Sequence, residues 1–119
     1  QRPKELPSLM SIYIPTITSR PTRESSTCAG NAATKLFSSA QLQARAGIEI
    51  VNADSTVYLL VKGVARGAAA PTITTQDYDW MIAPNATLSL NYGSAMDVYV
   101  QNSTSAATTS KYIAYEVLT

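Results

Sequence analysis

Few side chains in this 119-residue sequence could do chemistry, and the densest group of them is Asp77-Tyr78-Asp79-Trp80. Two carboxylates two residues apart, beside two aromatic rings, could supply oxygen ligands to calcium or the acid pair of a glycosidase. The rings could also form a platform on which a sugar stacks. The same four residues fit an ordinary strand. Residues two apart in extended chain share a face, which sends Asp77 and Asp79 to solvent and Tyr78 and Trp80 toward a core. The strand reading is the expectation here.

Other chemistry is short of parts. There is no histidine, which removes the commonest general base, the commonest metal ligand and any Ser-His or Cys-His pair. A single cysteine, Cys28, can form neither an intrachain disulfide nor a structural zinc site. Only Arg23 lies near it in sequence to lower its pKa, so no reactive thiol is expected. The five glycines are scattered, and Gly63-Val64-Ala65-Arg66-Gly67 lacks the lysine and helix of a phosphate loop. Asn85-Ala86-Thr87 and Asn102-Ser103-Thr104 match the glycosylation sequon, but so short a motif recurs by chance. The expectation is a chain without catalytic residues, cofactor, metal or small-molecule substrate, and so not an enzyme.

The elements that must carry these residues follow from composition. Charged residues are only 14% of the chain against a usual quarter, and their place is taken by small polar residues, among them 13 Ser and 14 Thr. Hydroxyl residues suit sheets and turns better than helix interiors, so an all-β domain is expected. The length allows one core. No apolar run approaches the 18 or so residues of a membrane span, and no membrane partner is expected. The net charge of +1 hides an asymmetry. Residues 1–45 hold six basic side chains against two acidic, and the remainder holds three against six. A basic front can steer toward an acidic partner, including the acidic body of a neighbouring copy. Nucleic-acid binding would want its basic stripe on the body instead, and none is expected.

Two regions separate. Residues 1–30 read as an extended arm, with Pro3, Pro7, Pro15 and Pro21 excluding a helix. Within it Leu9-Met10-Ser11-Ile12-Tyr13-Ile14 is apolar and β-prone, and suits an edge strand on its own body or on another subunit. Residues 31–119 read as a β-sandwich, jelly-roll-like or Greek-key, of seven to nine strands. Gly47–Val51 and Val57–Val61 predict a hairpin about the turn 52–55. Further strands are expected within 72–82, over Thr87–Asn91 with Leu88 and Leu90 inward, over Met96–Gln101, and over Tyr112–Val117. Residues 102–110 read as a mobile loop tip, and only 32–46 leaves room for a helical turn. Tyr99 and Tyr112 fall opposite their strands' apolar sets, where rings serve either an interface or the ordinary two-sided positions of a sandwich sheet.

The run Leu42-Gln43-Ala44-Arg45-Ala46-Gly47-Ile48-Glu49-Ile50-Val51-Asn52, followed by Val57–Val61, Ile82–Leu90 and Met96–Val100, resembles the small β-sandwich accessory proteins of tailed bacteriophage particles. The resemblance covers roughly residues 40–118 and is a pattern of strands and turns. It implies a structural virion protein of the capsid decoration or cement kind, often a homotrimer, that bridges neighbouring major capsid subunits. The major capsid protein or another virion protein would be its partner, and the virion its location. In that setting the expected partner interface is the arm. Leu9, Ile12, Tyr13 and Ile14 would supply burial, and Arg2, Lys4, Arg20 and Arg23 would steer. The alternative is a carbohydrate- or receptor-binding sandwich of a head fibre or tail part, with Tyr78, Trp80 or the Tyr92 turn as its platform. An exposed Trp80 would favour that alternative and a buried one would oppose it.

Overall fold

The computed structural model describes residues 22–37 and 45–118. They form eight strands and, among the described residues, no helix: β1 (Thr22–Ala29), β2 (Thr34–Lys35), β3 (Gly47–Asn52), β4 (Leu59–Ala65), β5 (Trp80–Ile82), β6 (Thr87–Leu90), β7 (Met96–Asn102) and β8 (Thr109–Val117). Two four-stranded sheets result, ordered β1-β8-β3-β6 and β2-β7-β4-β5. Every pairing is antiparallel: β1 with β8, β2 with β7, β3 with β6 and β4 with β5, while β3–β8 and β4–β7 complete the sheets. The first four strands therefore meet the last four in reverse order, alternating between sheets.

Period-two alternation builds the core. Ile48, Ile50, Leu90, Tyr112 and Ala114 of the first sheet meet Leu59, Val61, Ile82, Val98 and Val100 of the second, with Leu36 and Phe37 closing one side. Each such aliphatic side chain contributes roughly 1.5–3 kcal/mol by leaving water. The second sheet is covered on its outer face too, by the chain between β4 and β5. Ile73 from that excursion packs on Leu60 and Tyr99, with Tyr78, Val64 and Ala33 at the margin. Gln101 Nε2 donates to Ile73 O at 2.7 Å and to Gly30 O at 3.1 Å, pinning the excursion down. Asp97 accepts from Gly67 N at 2.9 Å and pairs with Lys35 at 3.4 Å. These contacts bury β7 on both faces, polar residues included.

Several expectations change on this frame. The predicted hairpin is absent, because β3 and β4 lie in different sheets. β3 ends in fully buried Asn52, whose Nδ2 donates to Val57 O at 2.8 Å and Ile82 O at 3.1 Å. Asp54 N donates to Asn52 Oδ1, and the Asp54 carboxylate accepts from Thr56 N and Val57 N, both at 2.8 Å. Those bonds shape residues 53–58 into a crossing from one layer to the other rather than a reversal within one sheet. Thr34–Lys35, inside the stretch left open to a helical turn, is strand β2. Tyr99 and Tyr112 are 7% and 1% exposed, which excludes both from an interface: one lies beneath the excursion and the other inside the core. In β8 the inward set is Tyr112, Ala114 and Glu116, and Ile113, Tyr115 and Val117 face outward, partly exposed. The compositional arm boundary at residue 30 falls after β1, which pairs with β8 along all eight of its residues.

Candidate functional site

Among the described residues the exposed large hydrophobic side chains are Tyr58, Trp80 and Met81, at 44%, 45% and 46%. All three sit at one edge of the second sheet. Trp80 and Met81 open β5, which pairs with Val61 and Leu60 of β4, and Tyr58 immediately precedes β4. Strand alternation puts Met81 and Tyr58 on the outer side with Leu60, and Trp80 on the side of Val61, looking toward the other sheet. Trp80 thus points in the expected direction but is not buried. β5 is an edge strand of three residues, and no neighbouring strand among the described residues extends over the indole.

What holds the indole is a chain of hydrogen bonds. Trp80 Nε1 donates to Tyr92 Oη at 3.0 Å, and Tyr92 Oη donates to Asp79 Oδ2 at 3.4 Å. The same carboxylate oxygen accepts from Gly63 N at 3.0 Å, and Asp79 N donates to Val61 O at 2.9 Å. Gly63 matters for its missing side chain: a Cβ there would stand 3.0 Å from Tyr92 Cε2 and from Met96 Cε, so glycine gives the phenol ring its seat on β4. Burial raises the Tyr92 pKa; the Trp80 indole N–H opposes that rise and the Asp79 charge adds to it.

Tyr92 is fixed from behind by Arg45. Its Nε donates to Tyr92 O at 3.1 Å, its Nη2 to Gly93 O at 2.6 Å and to Met96 O at 2.5 Å, and its Nη1 to Glu116 Oε2 at 3.0 Å. The Arg45 and Glu116 side chains are 1% and 0% exposed. The guanidinium thus joins the β6–β7 turn to β8 from inside the protein, and its planar fork suits several acceptors at once. The resulting surface offers an indole face, a phenol and a carboxylate on a stiff frame. That set can bind by stacking and hydrogen bonding.

Asp77, the other carboxylate of the sequence cluster, pairs with Lys62 Nζ at 2.8 Å, so the two acidic groups have separate partners. No group of three or more His, Cys, Asp or Glu converges on a metal-sized site among the described residues. Cys28 is buried, and burial pushes its thiol up to about 11, which makes it a poor nucleophile at neutral pH. Asn102 of the second sequon is 1% exposed, with Nδ2 donating to Cys28 O and Thr108 O and Oδ1 accepting from Thr104 N, so the folded chain offers it to no glycan.

Of the residues expected at a partner interface, Arg2, Lys4, Leu9, Ile12, Tyr13, Ile14 and Arg20 lie outside the described residues. Arg23 is in β1, opposite Tyr115 in register, with its guanidinium 6.0 Å from that ring's centroid. It belongs to the outer face of the first sheet, across the sandwich from β5. Met81 and Tyr58 went unselected in the sequence, and the available signal was the shortness of the apolar run before Pro84 with acidic residues in front of it, a pattern of edge strands. Compared with protein-family models, with curated proteins and with solved structures, the chain matches none.

Proposed function

We propose that this chain is a non-enzymatic structural protein of a virus particle, of the capsid decoration kind, which docks on a larger assembly. The observation that supports a docking role is the exposure of Trp80 and Met81 on the two faces of the edge strand β5, with Tyr58 before β4 on the face of Met81, since an edge strand with bare apolar side chains invites a partner. The strand order supports reading the sandwich as a jelly roll: pairing the first strand with the eighth, the second with the seventh, and so on inward is the wrapping of one long double ribbon. Jelly rolls recur in viral capsid proteins and in lectins, and fold alone does not choose between them. The partner in this reading is the major capsid protein or another virion protein, engaged by the basic N-terminal arm and the sandwich together, and the working form is a homotrimer.

Cosedimentation with capsids assembled from the major capsid protein of the virus that carries the chain tests this. The full chain is expected to bind and to raise the temperature at which the capsids open, and a chain lacking residues 1–20 is expected to lose most of that binding. Equal binding by the truncated chain removes the arm from the mechanism, and no binding by either sinks the capsid reading.

The exposure of Trp80 favours the second reading, a carbohydrate- or receptor-binding sandwich. An indole beside the Asp79 carboxylate and the Tyr92 phenol could stack on a sugar ring and accept its hydroxyls. Trp80 is the single tryptophan, so its emission reports on this surface alone. Under this reading, a panel of oligosaccharides contains one that shifts the emission saturably, and Trp80→Ala abolishes its binding.

A further inference from the structure

We propose that the β5 edge accepts a strand, and that its occupant is the segment Leu9–Ile14 of a second copy of the chain. The inference rests on the assembly reading above and names the contact by which copies join. Among the described residues β5 pairs on one side only, with β4, so its other side offers backbone N–H and C=O groups to an added strand. Both faces of that edge carry exposed apolar surface, Trp80 on the side toward the first sheet and Met81 with Tyr58 on the outer side.

The proposed occupant matches on three counts. Leu9-Met10-Ser11-Ile12-Tyr13-Ile14 is apolar on both faces of an extended strand: Met10, Ile12 and Ile14 would lie beside Trp80 and Ile82, and Leu9 and Tyr13 beside Met81. Charge agrees as well. Residues 1–21 carry Arg2, Lys4 and Arg20 against Glu5, whereas Asp79 stands just before β5, and the described residues hold six basic side chains against seven acidic. The connection favours a neighbour over the same copy. Thr22 begins β1 on the lateral edge of the sandwich far from β5, and only residues 15–21 separate it from Leu9–Ile14, so a same-copy contact would need that short spacer to cross the width of the body.

The test uses the full chain, because Trp80 is both the proposed contact and the only tryptophan. Light scattering and Trp80 fluorescence are followed over the same concentration series. The expected result is a mass that rises above the monomer's while emission shifts to the blue and acrylamide quenching falls at least twofold. An Ile12→Asp/Ile14→Asp variant is expected to stay monomeric with a readily quenched Trp80. Met81→Lys, a change on the acceptor side at an exposed position, is expected to weaken association at least tenfold. Far-UV circular dichroism checks that both variants keep the sheet.

An oligomer whose Trp80 is as quenchable as the variant's overturns the proposal, since the copies then meet elsewhere. A monomer with a protected Trp80 that the double variant exposes also overturns it, because the segment then covers its own edge. A monomer with an exposed Trp80 at every concentration leaves no strand added and overturns it too. Capsid cosedimentation is read independently. A chain that binds capsids without β5 association loses only this inference, and one that associates through β5 without binding capsids loses only the capsid reading.

Discussion

Cys28 shows how far a residue's meaning depends on its surroundings. In sequence it is a lone thiol five residues after an arginine; in the fold it is a small apolar group packed in the core, with Ser110 Oγ at 3.9 Å. Burial raises its pKa from 9.0 to about 11, against smaller opposing contributions from Ser110 and the Asn102 backbone. Tyr112 is held protonated in the same way, by burial first and then by the Glu24 carboxylate that accepts its hydroxyl. Groups whose folded pKa is raised keep their full stabilisation below the unfolded pKa and lose it as pH rises toward the folded one. Stability is therefore expected to hold to about pH 9 and to fall by roughly 2–3 kcal/mol on account of Cys28 by pH 11. Urea unfolding at pH 8 and pH 11 checks this: Cys28→Ala should lose less stability over that interval than the parent chain, and the same loss in both would refute the assignment. That the Cys28 pKa would not be lowered was legible in the sequence, because only Arg23 lies near it. Its burial was not, because it depends on β1 lying against β8.

At the scale of elements, most strand faces follow their local pattern, while β8 and the turns needed tertiary contacts. Leu88 and Leu90, Val98 and Val100, and Leu59 and Val61 all alternate as their sequence pattern predicts, with the odd or even set turned to the core. The link after β3 did not follow from pattern, since Asn52-Ala53-Asp54-Ser55 has turn chemistry suited equally to a hairpin and to a crossing between sheets. Buried Asn52 decides it by reaching Val57 O on the near side and Ile82 O on β5. Arg45 plays the matching part at the other end, where it clamps the β6–β7 turn to Glu116 of β8. Arg45→Ala leaves a buried carboxylate and three carbonyls without that donor, and is expected to cost on the order of 3–5 kcal/mol in denaturant unfolding. Arg45→Lys should recover part of this, keeping the charge but not the fork. A cost below 1 kcal/mol for Arg45→Ala would mean that the turn is held by something else. Because Tyr92 is seated by this clamp and accepts from the Trp80 indole, Arg45→Ala should also make Trp80 more quenchable, a readout that plain loss of stability does not move in the folded chain.

For the molecule as a whole, β1 lies within the sandwich, so the body begins no later than Thr22. Deleting residues 1–20 leaves β1 whole and is expected to leave the sandwich folded at dilutions where copies do not associate. Deleting through Ala29 should unfold it, because that removes one of the two strands paired with β8, together with the core side chain of Cys28 and the Glu24 acceptor of Tyr112. Thermal unfolding of the two truncations distinguishes a first strand that the sandwich requires from one that merely lies on it. The exposed β4–β5 edge belongs to this scale also. It exists because the second sheet stops at a three-residue strand, a property of the whole topology that no local window contains.

Composition and the period-two alternation of apolar residues were enough to specify an all-β chain whose strands turn alternate residues to a core. Those properties are set residue by residue and survive any arrangement of the strands. Which strands pair, which polar residues go inside and which rings stay outside were decided by the tertiary structure. Arg45, Asn52, Asp97, Asn102 and Glu116 are polar residues that a local pattern assigns to the surface, and all five are buried because distant segments bring them hydrogen-bonding partners. Trp80 is the converse, an apolar ring whose inward direction is local but whose exposure follows from lying on the last strand of its sheet.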